Sequence, residues 1–387
     1  MMTQKIIVLG GGLVGGPMAL DLALDERFEV TVADIDEGVL ERLRARQPKL
    51  KTIPADLSVP AAVTELVSGF DLVLNAVPGF MGYPTLEAIL DAGKNTVDIS
   101  FFAEDPFSLN DKAVAAGVTA IVDCGVAPGL SNLLIGRVIA QLDRVERVLI
   151  YVGGLPEVRQ WPYEYKAVFS PTDVIEEYVR PARYIENGFM VIRPALSDPE
   201  LIDFPGLGTL EAFNTDGLRS LATTIDAPHL KEKTLRYPGH IEKMAVLRET
   251  GFFDTEEIVV NGSTFRPVDL TAALLFPKWK MNEGDVDITV LRVEVDGRRE
   301  GREVSHTFRM LDRYDRETGT HSMARTTGYT ATAAVRMLAE GLYREPGIAP
   351  PELIGKHKVP FDSMIACLKE RRVVCQEEVT GGESILS

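Results

Sequence analysis

The chain has 387 residues, of which 25% are charged and 45% hydrophobic, as expected for a globular protein with an ample core. This length favours two domains over one. The formal net charge of −16 disfavours nucleic acids and anionic membrane surfaces as partners, because both are negatively charged. No apolar run approaches the roughly 20 residues that span a bilayer, and the N-terminus leads directly into a predicted strand without a signal peptide. We therefore expect a cytoplasmic protein.

The cysteines and histidines show no spacing that indicates a metal site. Cys124, Cys367 and Cys375 are odd in number and far apart, so they predict neither a zinc site nor a disulfide framework. The five histidines contain no H-E-x-x-H or comparable pattern. Cys124 is expected to pack rather than to act as a nucleophile, because no activating base is evident beside it.

A glycine-rich corner near the N-terminus predicts a nucleotide site. Residues 6–9 are an apolar run typical of a strand buried on both faces, and residues 13–24 are compatible with a helix. Between them, Gly10, Gly12 and Gly15 give the spacing G-x-G-x-x-G. Such glycines permit a tight turn, backbone approach to a pyrophosphate and close helix–strand packing. The helix N-terminus adds amide donors and a favourable dipole.

An acidic residue follows at the expected distance. Residues 29–33 form a second predicted strand that ends at Asp34, about 20 residues beyond the glycines. A carboxylate there accepts bonds from both ribose hydroxyls and repels a 2′-phosphate. Asp36 adds negative charge, and the first arginine after Asp34 is Arg42. The pattern predicts NAD rather than NADP; the alternative is a glycine-rich turn that binds no ligand.

Further βα units continue the pattern. The predicted strands are residues 50–54, 71–78, 95–100 and 118–122, and helix-length segments such as residues 37–46 separate them. This alternation predicts an α/β fold with a Rossmann-type doubly wound parallel sheet. Ligands of such sheets bind beyond the carboxyl ends of the strands. The predicted cofactor-binding residues are Gly10, Gly12, Leu13, Val14, Gly15, Asp34, Asp56, Val77, Pro78, Ser100, Gly125 and Val126. For Asp56, capping of the next helix is an equally good interpretation. For the residues in the loops after the other strands, tight turns that bind no ligand are an equally good interpretation.

The second half of the chain has a different pattern, which predicts an α+β region with a largely antiparallel sheet. The predicted strands and hairpins are residues 148–152, 163–170, 259–265 around Asn261-Gly262, and 291–297 returning through 303–310. His306 shares a strand face with apolar residues, so packing is favoured over catalysis. Residues 330–342 and 361–371 are predicted helices, and the tail from residue 380 is expected to fray.

Seven phrases of the chain resemble the saccharopine dehydrogenase-like family, and within it most closely the NAD-dependent L-lysine 6-dehydrogenase branch. The resemblance runs from about residue 5 to residue 370 with the phrases in the same order. These phrases are Val77-Pro-Gly-Phe80, Asp98-Ile-Ser100, Asp123-Cys-Gly-Val-Ala-Pro-Gly-Leu-Ser-Asn132, Tyr151-Val-Gly-Gly-Leu-Pro156, Asp216-Gly-Leu-Arg-Ser220, Thr234-Leu-Arg-Tyr-Pro-Gly-His240 and Arg325-Thr-Thr-Gly-Tyr329.

The resemblance implies a domain plan and a reaction. Residues 1–129 and 322–387 would form the dinucleotide-binding domain, and residues 130–321 an inserted substrate and dimerisation domain of a homodimer. The implied reaction is NAD-dependent oxidative deamination of the ε-amino group of L-lysine, which yields 2-aminoadipate 6-semialdehyde and ammonia. A saccharopine reductase-type or related amino-acid dehydrogenase is the alternative. A non-catalytic dinucleotide-binding protein is an alternative of another class.

Two departures from the saccharopine-forming enzymes favour free lysine. Those enzymes have an acidic residue where Ala127 stands and a tyrosine near Phe101, and both polar groups are missing here. The resemblance therefore implies a smaller and differently polar pocket than the glutamate adduct of lysine requires.

The implied reaction sets requirements for the substrate site. A lysine amine has a pKa of about 10.4 and must lose a proton before a hydride can leave its carbon. Arg219 and Arg236 are predicted to clamp the substrate carboxylate, with structural ion pairs as the alternative. His240 is the first candidate for the base, and Asp216 would orient it or bind the substrate ammonium. A packing role is the alternative for His240.

The region before these phrases adds further candidates. Glu176 and Glu177 lie on a predicted helix, where adjacent residues point about 100° apart, so only one of them faces a pocket. We select Glu177, with a solvated helix face as the alternative for either residue. Tyr165 and Lys166 are predicted to line the same site.

Overall fold

The computed structural model describes residues 3–167, 171–282 and 284–386. In chain order the strands are β1 (Gln4–Leu9), β2 (Phe28–Asp34), β3 (Lys51–Pro54), β4 (Leu72–Asn75), β5 (Asn95–Asp98), β6 (Thr119–Ile121), β7 (Arg144–Pro156), β8 (Ala182–Glu186), β9 (Phe189–Arg193), β10 (Glu200–Phe204), β11 (Gly208–Asn214), β12 (His229–Arg236), β13 (Ile258–Val260), β14 (Ser263–Phe265), β15 (Asp287–Arg299), β16 (Arg302–Arg313), β17 (Gly347–Ile348) and β18 (Gln376–Thr380).

The helices are α1 (Gly15–Leu22), α2 (Glu37–Arg46), α3 (Pro60–Val67), α4 (Gly79–Asp91), α5 (Asn110–Ala116), α6 (Leu130–Ile139), α7 (Pro171–Val179), α8 (Leu221–Thr224), α9 (His240–Glu249), α10 (Pro267–Trp279), α11 (Ser322–Ala339), α12 (Pro351–Gly355) and α13 (Lys358–Glu370). Among the described residues, no helix has the length and apolar character needed to cross a bilayer.

The chain divides into two compact units. The first unit holds residues 3–141, Ala324–Val374 and Leu386, and the second holds Leu142–Met323 and Cys375–Ile385. These borders differ from the predicted ones after residues 129 and 321. Helix α6 packs on α12 and so belongs to the first unit, whereas β18 pairs with β16 in the second.

A parallel sheet of seven strands forms the centre of the first unit, in the order β17-β6-β5-β4-β1-β2-β3. Every neighbouring pair is parallel. The order reverses beside β1, which is the switch point where such sheets bind ligands. The side chains of Ile6, Ile7, Val8 and Leu9 are fully buried, as an interior parallel strand requires. The predicted α/β Rossmann-type sheet is confirmed; β17, with two residues, is too short to show periodicity.

The second unit contains a mixed sheet of nine strands. Its main path is β10-β11-β12-β7-β15-β16-β18, and β8 and β9 extend it beside β12. Strands β7 and β12 are parallel, and the other pairs are antiparallel. The hairpin β13–β14 turns at Asn261-Gly262, where both residues have positive φ as a type I′ turn requires. Both predicted hairpins are confirmed.

The strand predicted for residues 163–170 is wrong where the structure describes it. Residues 163–167 contain no strand, and Ala167 forms only an isolated bridge with Lys280. The Tyr165 side chain packs into a core cluster that includes Trp279, so the chain bends into this cluster instead of pairing along a strand. Residues 168–170 lie outside the described residues.

The C-terminal tail is more ordered than predicted. Strand β18 pairs with β16, and Glu377 accepts hydrogen bonds from Ser384 Oγ at 2.6 Å and from the Ile385 amide at 2.8 Å. His306 is buried and its Nδ1 lies 2.7 Å from Glu377 Oε1. The predicted packing role of His306 agrees with this position.

Candidate functional site

The glycine corner of the first unit has the geometry of a phosphate-binding turn. Gly10 has φ of 95°, and a Cβ atom there would lie 2.8 Å from the Ala76 carbonyl oxygen. A Cβ atom at Gly15 would lie 2.0 Å from the Gly10 carbonyl oxygen. Only glycine at this position therefore allows α1 to start so close to β1. A Cβ atom at Gly12 would meet nothing within 4 Å. Glycine is therefore required at positions 10 and 15 for close packing of the backbone, whereas Gly12 faces open space.

The helix that follows starts without a side-chain cap, although the Gly16 amide already donates to the Gly12 carbonyl oxygen at 3.0 Å. The N-cap of α1 is Val14, which makes no capping hydrogen bond, and Leu13 is 56% exposed. Uncapped amides at a helix start favour an anion. The corner therefore fits a diphosphate.

Two carboxylates close the edge of the sheet next to this corner. Asp34 Oδ2 accepts a hydrogen bond from the Gly11 amide at 2.7 Å, and Asp34 Oδ1 accepts one from the Asp36 amide at 2.9 Å. Asp36 caps α2 by accepting from the amides of Gly38 at 2.8 Å and Val39 at 3.2 Å. This acidic edge suits a ribose diol and opposes an additional phosphate.

Asp56 is exposed and binds locally. Its Oδ1 accepts hydrogen bonds from the Ser58 amide at 2.9 Å and from Ser58 Oγ at 2.6 Å. The Ser58 hydroxyl and amide hold the pKa of Asp56 below its usual range. Asp56 does not cap α3, whose N-cap is Val59 without a side-chain cap hydrogen bond, so the capping alternative is wrong. The cofactor contact of Asp56 remains a prediction.

Ser100 belongs to a buried polar network at the ends of β4 and β5. The Ser100 amide donates to Asp98 Oδ1 at 2.6 Å. Asn75 Nδ2 donates to Asp98 Oδ2 at 2.9 Å and to Ser100 Oγ at 3.3 Å. Burial raises the pKa of Asp98 to about 7. The network holds the turn after β5, so any cofactor contact of Ser100 depends on Asn75 and Asp98, which were not predicted as site residues.

The other predicted cofactor residues lie on the same sheet edge. Val77 and Pro78 follow β4, and Pro78 is the N-cap of α4. Gly125 and Val126 follow β6, where the Gly125 amide donates to the Pro128 carbonyl oxygen at 3.0 Å. Neighbouring Cys124 is buried, which raises the pKa of its thiol far above the usual range and agrees with a packing role.

In the second unit, His240 is enclosed by two hydrogen bonds. Its Nδ1 lies 2.8 Å from the Tyr163 carbonyl oxygen, to which it must donate, so its Nε2 accepts from Tyr178 Oη at 2.9 Å. Burial, together with the nearby Arg236, lowers the pKa of His240 to about 3. A neutral ring with both nitrogens engaged cannot accept a substrate proton. The structure therefore favours a positioning role over the predicted base.

Arg236 is the centre of the same cluster. Its buried guanidinium forms an ion pair with Glu177, lies 3.4 Å from Tyr178 Oη and stacks 4.6 Å from the Tyr165 ring centroid. The choice of Glu177 over Glu176 agrees with this packing, because Glu176 is exposed and only approaches Arg180. The structural ion pair considered for Arg236 is present.

Tyr165 lies beside His240, with 5.1 Å between the ring centroids, whereas Asp216 and Lys166 contact other residues. Asp216 accepts two hydrogen bonds of 2.8 Å from Arg183, so it does not orient His240 as predicted. Arg219 follows in the same loop with φ of 52°, and its clamp role remains a prediction. Lys166 Nζ lies 3.2 Å from the Lys280 carbonyl oxygen and 3.6 Å from Asp285.

Glu232 is an acidic residue that the sequence reasoning missed. It lies on β12 with Thr234 and Arg236 on the same strand face, is 4% exposed and is hydrogen-bonded by the Thr215 hydroxyl. Burial raises the pKa of Glu232 to about 8, and Glu177 and Asp216 add to the shift. The three consecutive charged residues at positions 231–233 gave no signal of this burial.

Family models match nearly the whole chain. Residues 6–121 match the saccharopine dehydrogenase NADP binding domain, and residues 125–373 match the saccharopine dehydrogenase C-terminal domain. The chain belongs to the saccharopine dehydrogenase family. The name of the first model supports a nicotinamide dinucleotide as the cofactor of the first unit.

Curated relatives agree with this membership. The chain is 28% identical over 270 residues to the mitochondrial alpha-aminoadipic semialdehyde synthase of Mus musculus, which covers 65% of the chain but 29% of the mouse protein. It is 23% identical over 461 residues to saccharopine dehydrogenase [NADP(+), L-glutamate-forming] of Pyricularia oryzae, which covers 98% of the chain and 100% of that protein. The chain thus spans less than a third of the mouse relative.

A solved structure shows the same fold. Apo saccharopine dehydrogenase (L-Glu forming) from Saccharomyces cerevisiae superposes with a TM-score of 0.80 at 19% identity, covering 98% of this chain and 100% of the yeast chain. At this identity the likeness shows the fold and does not show the substrate.

Proposed function

We propose that the protein is an NAD-dependent dehydrogenase that oxidatively deaminates the ε-amino group of L-lysine to 2-aminoadipate 6-semialdehyde and ammonia. The observation that carries the substrate assignment is the charge balance of the second unit, where four basic side chains are already paired with acids. The cofactor assignment has separate support in the first unit.

Support for NAD comes from the acidic edge beside β2. Asp34 and Asp36 stand together there, and both are held by backbone amides rather than by basic side chains. Gly10, Gly12 and Gly15 would hold the diphosphate, and Asp34 the ribose hydroxyls. When bound, NAD supplies the hydride acceptor for the oxidation. The matching domain and the Pyricularia relative carry NADP in their names. The preference for NAD therefore rests on the acidic edge of this chain and not on its relatives.

Support for lysine comes from the basic residues of the second unit. Arg236 is paired with Glu177, Arg183 with Asp216, Lys166 with Asp285 and Lys233 with Glu200. Saccharopine carries three carboxylates and a net negative charge, so its binding requires several unmatched cations. Lysine carries one carboxylate and a net positive charge at neutral pH. The paired cations therefore favour lysine.

In this proposal, His240 and its neighbours position one another. His240 donates to a backbone carbonyl and accepts from Tyr178, which fixes the Tyr178 hydroxyl against Arg236. Apolar neighbours such as Trp279 and Phe253 surround Tyr178. A dry, apolar surrounding would favour the neutral form of a substrate amine, and a hydride can leave the adjoining carbon only from that form.

The assignment is tested by measuring nucleotide reduction with each substrate and each coenzyme. L-lysine or saccharopine is supplied with NAD or NADP, and reduced coenzyme, ammonia and glutamate are quantified. Ammonia equal to the NADH formed, with lysine and NAD, supports the proposal. Glutamate formed from saccharopine alone overturns it in favour of the activity named for the Pyricularia relative. Coenzyme binding without any turnover indicates a binding protein.

A further inference from the structure

Strand β9 is an outer strand of the nine-stranded sheet, and one of its edges is free. Among the described residues it pairs with β8 and with no other strand. Its Phe189, Met190 and Ile192 side chains are 74%, 48% and 64% exposed, and consecutive side chains point to opposite faces, so apolar groups are exposed on both faces of the strand. An edge strand of this kind offers unpaired backbone groups and apolar contacts to a strand of another chain.

The other two outer strands of this sheet carry acidic side chains. Strand β10 contains Glu200 and Asp203, and β18 contains Glu378. Strand β9 contains neither an acidic residue nor a proline, and its one charged residue, Arg193, stands at its end. Charged residues and prolines are the means by which natural proteins prevent their sheet edges from pairing with each other. Strand β9 lacks this protection along its apolar part.

The turn before β9 determines which backbone groups face the free edge. Both residues of Asn187-Gly188 have positive φ, as a two-residue type I′ turn requires, and the turn connects the paired residues Glu186 and Phe189. The residues that close such a turn are a hydrogen-bonded pair, and hydrogen-bonded and non-hydrogen-bonded pairs alternate along an antiparallel ladder. Met190 and Ile192 therefore direct their amide and carbonyl groups away from β8 and toward the free edge.

We propose that β9 pairs in antiparallel orientation with β9 of a second copy of this chain, across a two-fold axis at Val191. In this register Met190 lies opposite Ile192 of the partner subunit, so the outward amide and carbonyl groups of both residues find hydrogen-bond partners. Every residue of the strand has a counterpart in the other copy. The contact is isologous, because the same surface is used on both sides, and it therefore closes as a dimer.

The side chains on both faces of the strand fit a second copy in this register. Met190 and Ile192 share one face, so the two copies together form an apolar cluster there. On the other face, Arg193 lies opposite Phe189 of the partner subunit, and Glu186 of the partner subunit is next in the same row, because Glu186 and Phe189 are paired within each chain. An arginine beside an aromatic ring and an acid is favourable. The strand is thus complementary to itself in charge as well as in apolar character.

Self-association of the full chain in solution tests this surface. A contact through one strand of five residues is smaller than a standard protein interface, so we expect a reversible dimer with a Kd in the micromolar range, measured by sedimentation equilibrium. Ile192→Lys places a charge in the apolar cluster and should weaken the dimer about 10-fold or more. Leu201→Lys on β10 is the matched control, since Leu201 is 65% exposed, and it should keep the wild-type Kd. A wild type that stays monomeric, or a dimer that Ile192→Lys leaves unchanged, would overturn the proposal.

A cysteine at the two-fold axis tests the register. Val191 of the two copies would form a non-hydrogen-bonded pair, in which the Cα atoms are about 4.5 Å apart, a distance that a disulfide can span. Val191→Cys should therefore give a covalent dimer on a non-reducing gel after mild oxidation with oxidised glutathione. Leu201→Cys should not, and the wild type corrects for the native cysteines. Failure of Val191→Cys to form the covalent dimer, or equal cross-linking of Leu201→Cys, would overturn the pairing through β9.

Discussion

The carboxylate of Asp34 accepts a 2.7 Å hydrogen bond from the backbone amide of Gly11, which joins the end of β2 to the glycine corner that follows β1. The bond uses Oδ2, and Oδ1 accepts from the Asp36 amide. One side chain thereby fixes the shape of the corner and places negative charge at its rim. Coenzyme selectivity and the geometry of the turn are therefore linked through a single residue.

Replacement of Asp34 should relax the preference for NAD. In Asp34→Ser the hydroxyl can still accept from the Gly11 amide, but the charge that repels a 2′-phosphate is gone. We expect kcat/KM for NAD to fall about 10-fold and the NAD-to-NADP selectivity to fall at least that much, as loss of a charge-assisted hydrogen bond implies. Steady-state kinetics with both coenzymes measures the effect.

Asp71→Asn is the control for this change. Asp71 accepts a 2.7 Å hydrogen bond from the Lys5 amide at the opposite, N-terminal end of β1. The Asp71→Asn variant should keep the coenzyme selectivity of the wild type. Unaltered selectivity in Asp34→Ser would mean that Asp34 does not contact the ribose.

Gly12 and Gly15 should respond oppositely to alanine, because their Cβ positions differ. At Gly15 the new atom would lie 2.0 Å from a backbone oxygen, whereas at Gly12 it would meet nothing within 4 Å. Gly15→Ala should destabilise the protein by about 1–3 kcal/mol or more through overpacking. Gly12→Ala should keep the wild-type Tm and lose dinucleotide affinity. Thermal unfolding and NADH titration separate the two, and a normal affinity in Gly12→Ala would contradict a diphosphate at this turn.

Glu177 should matter for stability because it neutralises a buried guanidinium. Glu177→Gln leaves Arg236, which is 2% exposed, without its carboxylate. Breaking a buried pair on one side costs about 3–5 kcal/mol in general, and the partial exposure of Glu177 lowers that expectation to about 2 kcal/mol. Glu176→Gln on the same helix is the matched control, since Glu176 makes only an exposed contact with Arg180 and should change stability by less than about 0.5 kcal/mol. Urea unfolding of the three proteins gives the comparison; equal stabilities would show that the pair is not stabilising.

The parts of the molecule that sequence reasoning recovered are those fixed by local constraints. The positive φ of Gly10 and the apolar run of β1 each depend on a few neighbouring residues, so the sequence pattern predicts both. The partners of His240 are not local. Tyr178 is 62 residues away and the Tyr163 carbonyl is 77 residues away. A histidine after Pro-Gly looks available in sequence, and only the tertiary fold shows both nitrogens engaged.

Glu232 escaped prediction for a related reason. Its hydrogen bond joins it to Thr215, 17 residues earlier, across the end of a neighbouring strand. Three charged residues stand in a row at positions 231–233, which suggests a solvated strand. Burial of that row depends on how α7 and the Asp216 loop cover β12, and hydrophobic periodicity does not contain that information.

His240 should make the stability of the protein fall in mild acid. Its pKa is about 3 in the native state against a usual 6.5, so between these values the unfolded chain binds a proton that the native protein does not. The stabilisation is complete above pH 6.5 and is lost as the pH falls toward 3, at up to about 1.4 kcal/mol per pH unit. In His240→Gln this contribution is absent, so its free energy of unfolding should depend less steeply on pH between 6.5 and 4.

The comparison uses urea unfolding of wild type, His240→Gln and His229→Gln at several pH values in that window. His229 is exposed on β12, so its removal should leave the wild-type slope in place. The same ring should contribute no inflection near pH 6.5 to kcat, because it stays neutral throughout the neutral range. Parallel stability slopes in wild type and His240→Gln, or a kcat inflection near pH 6.5 that this variant abolishes, would mean that His240 titrates in the native protein and would return it to the role of base.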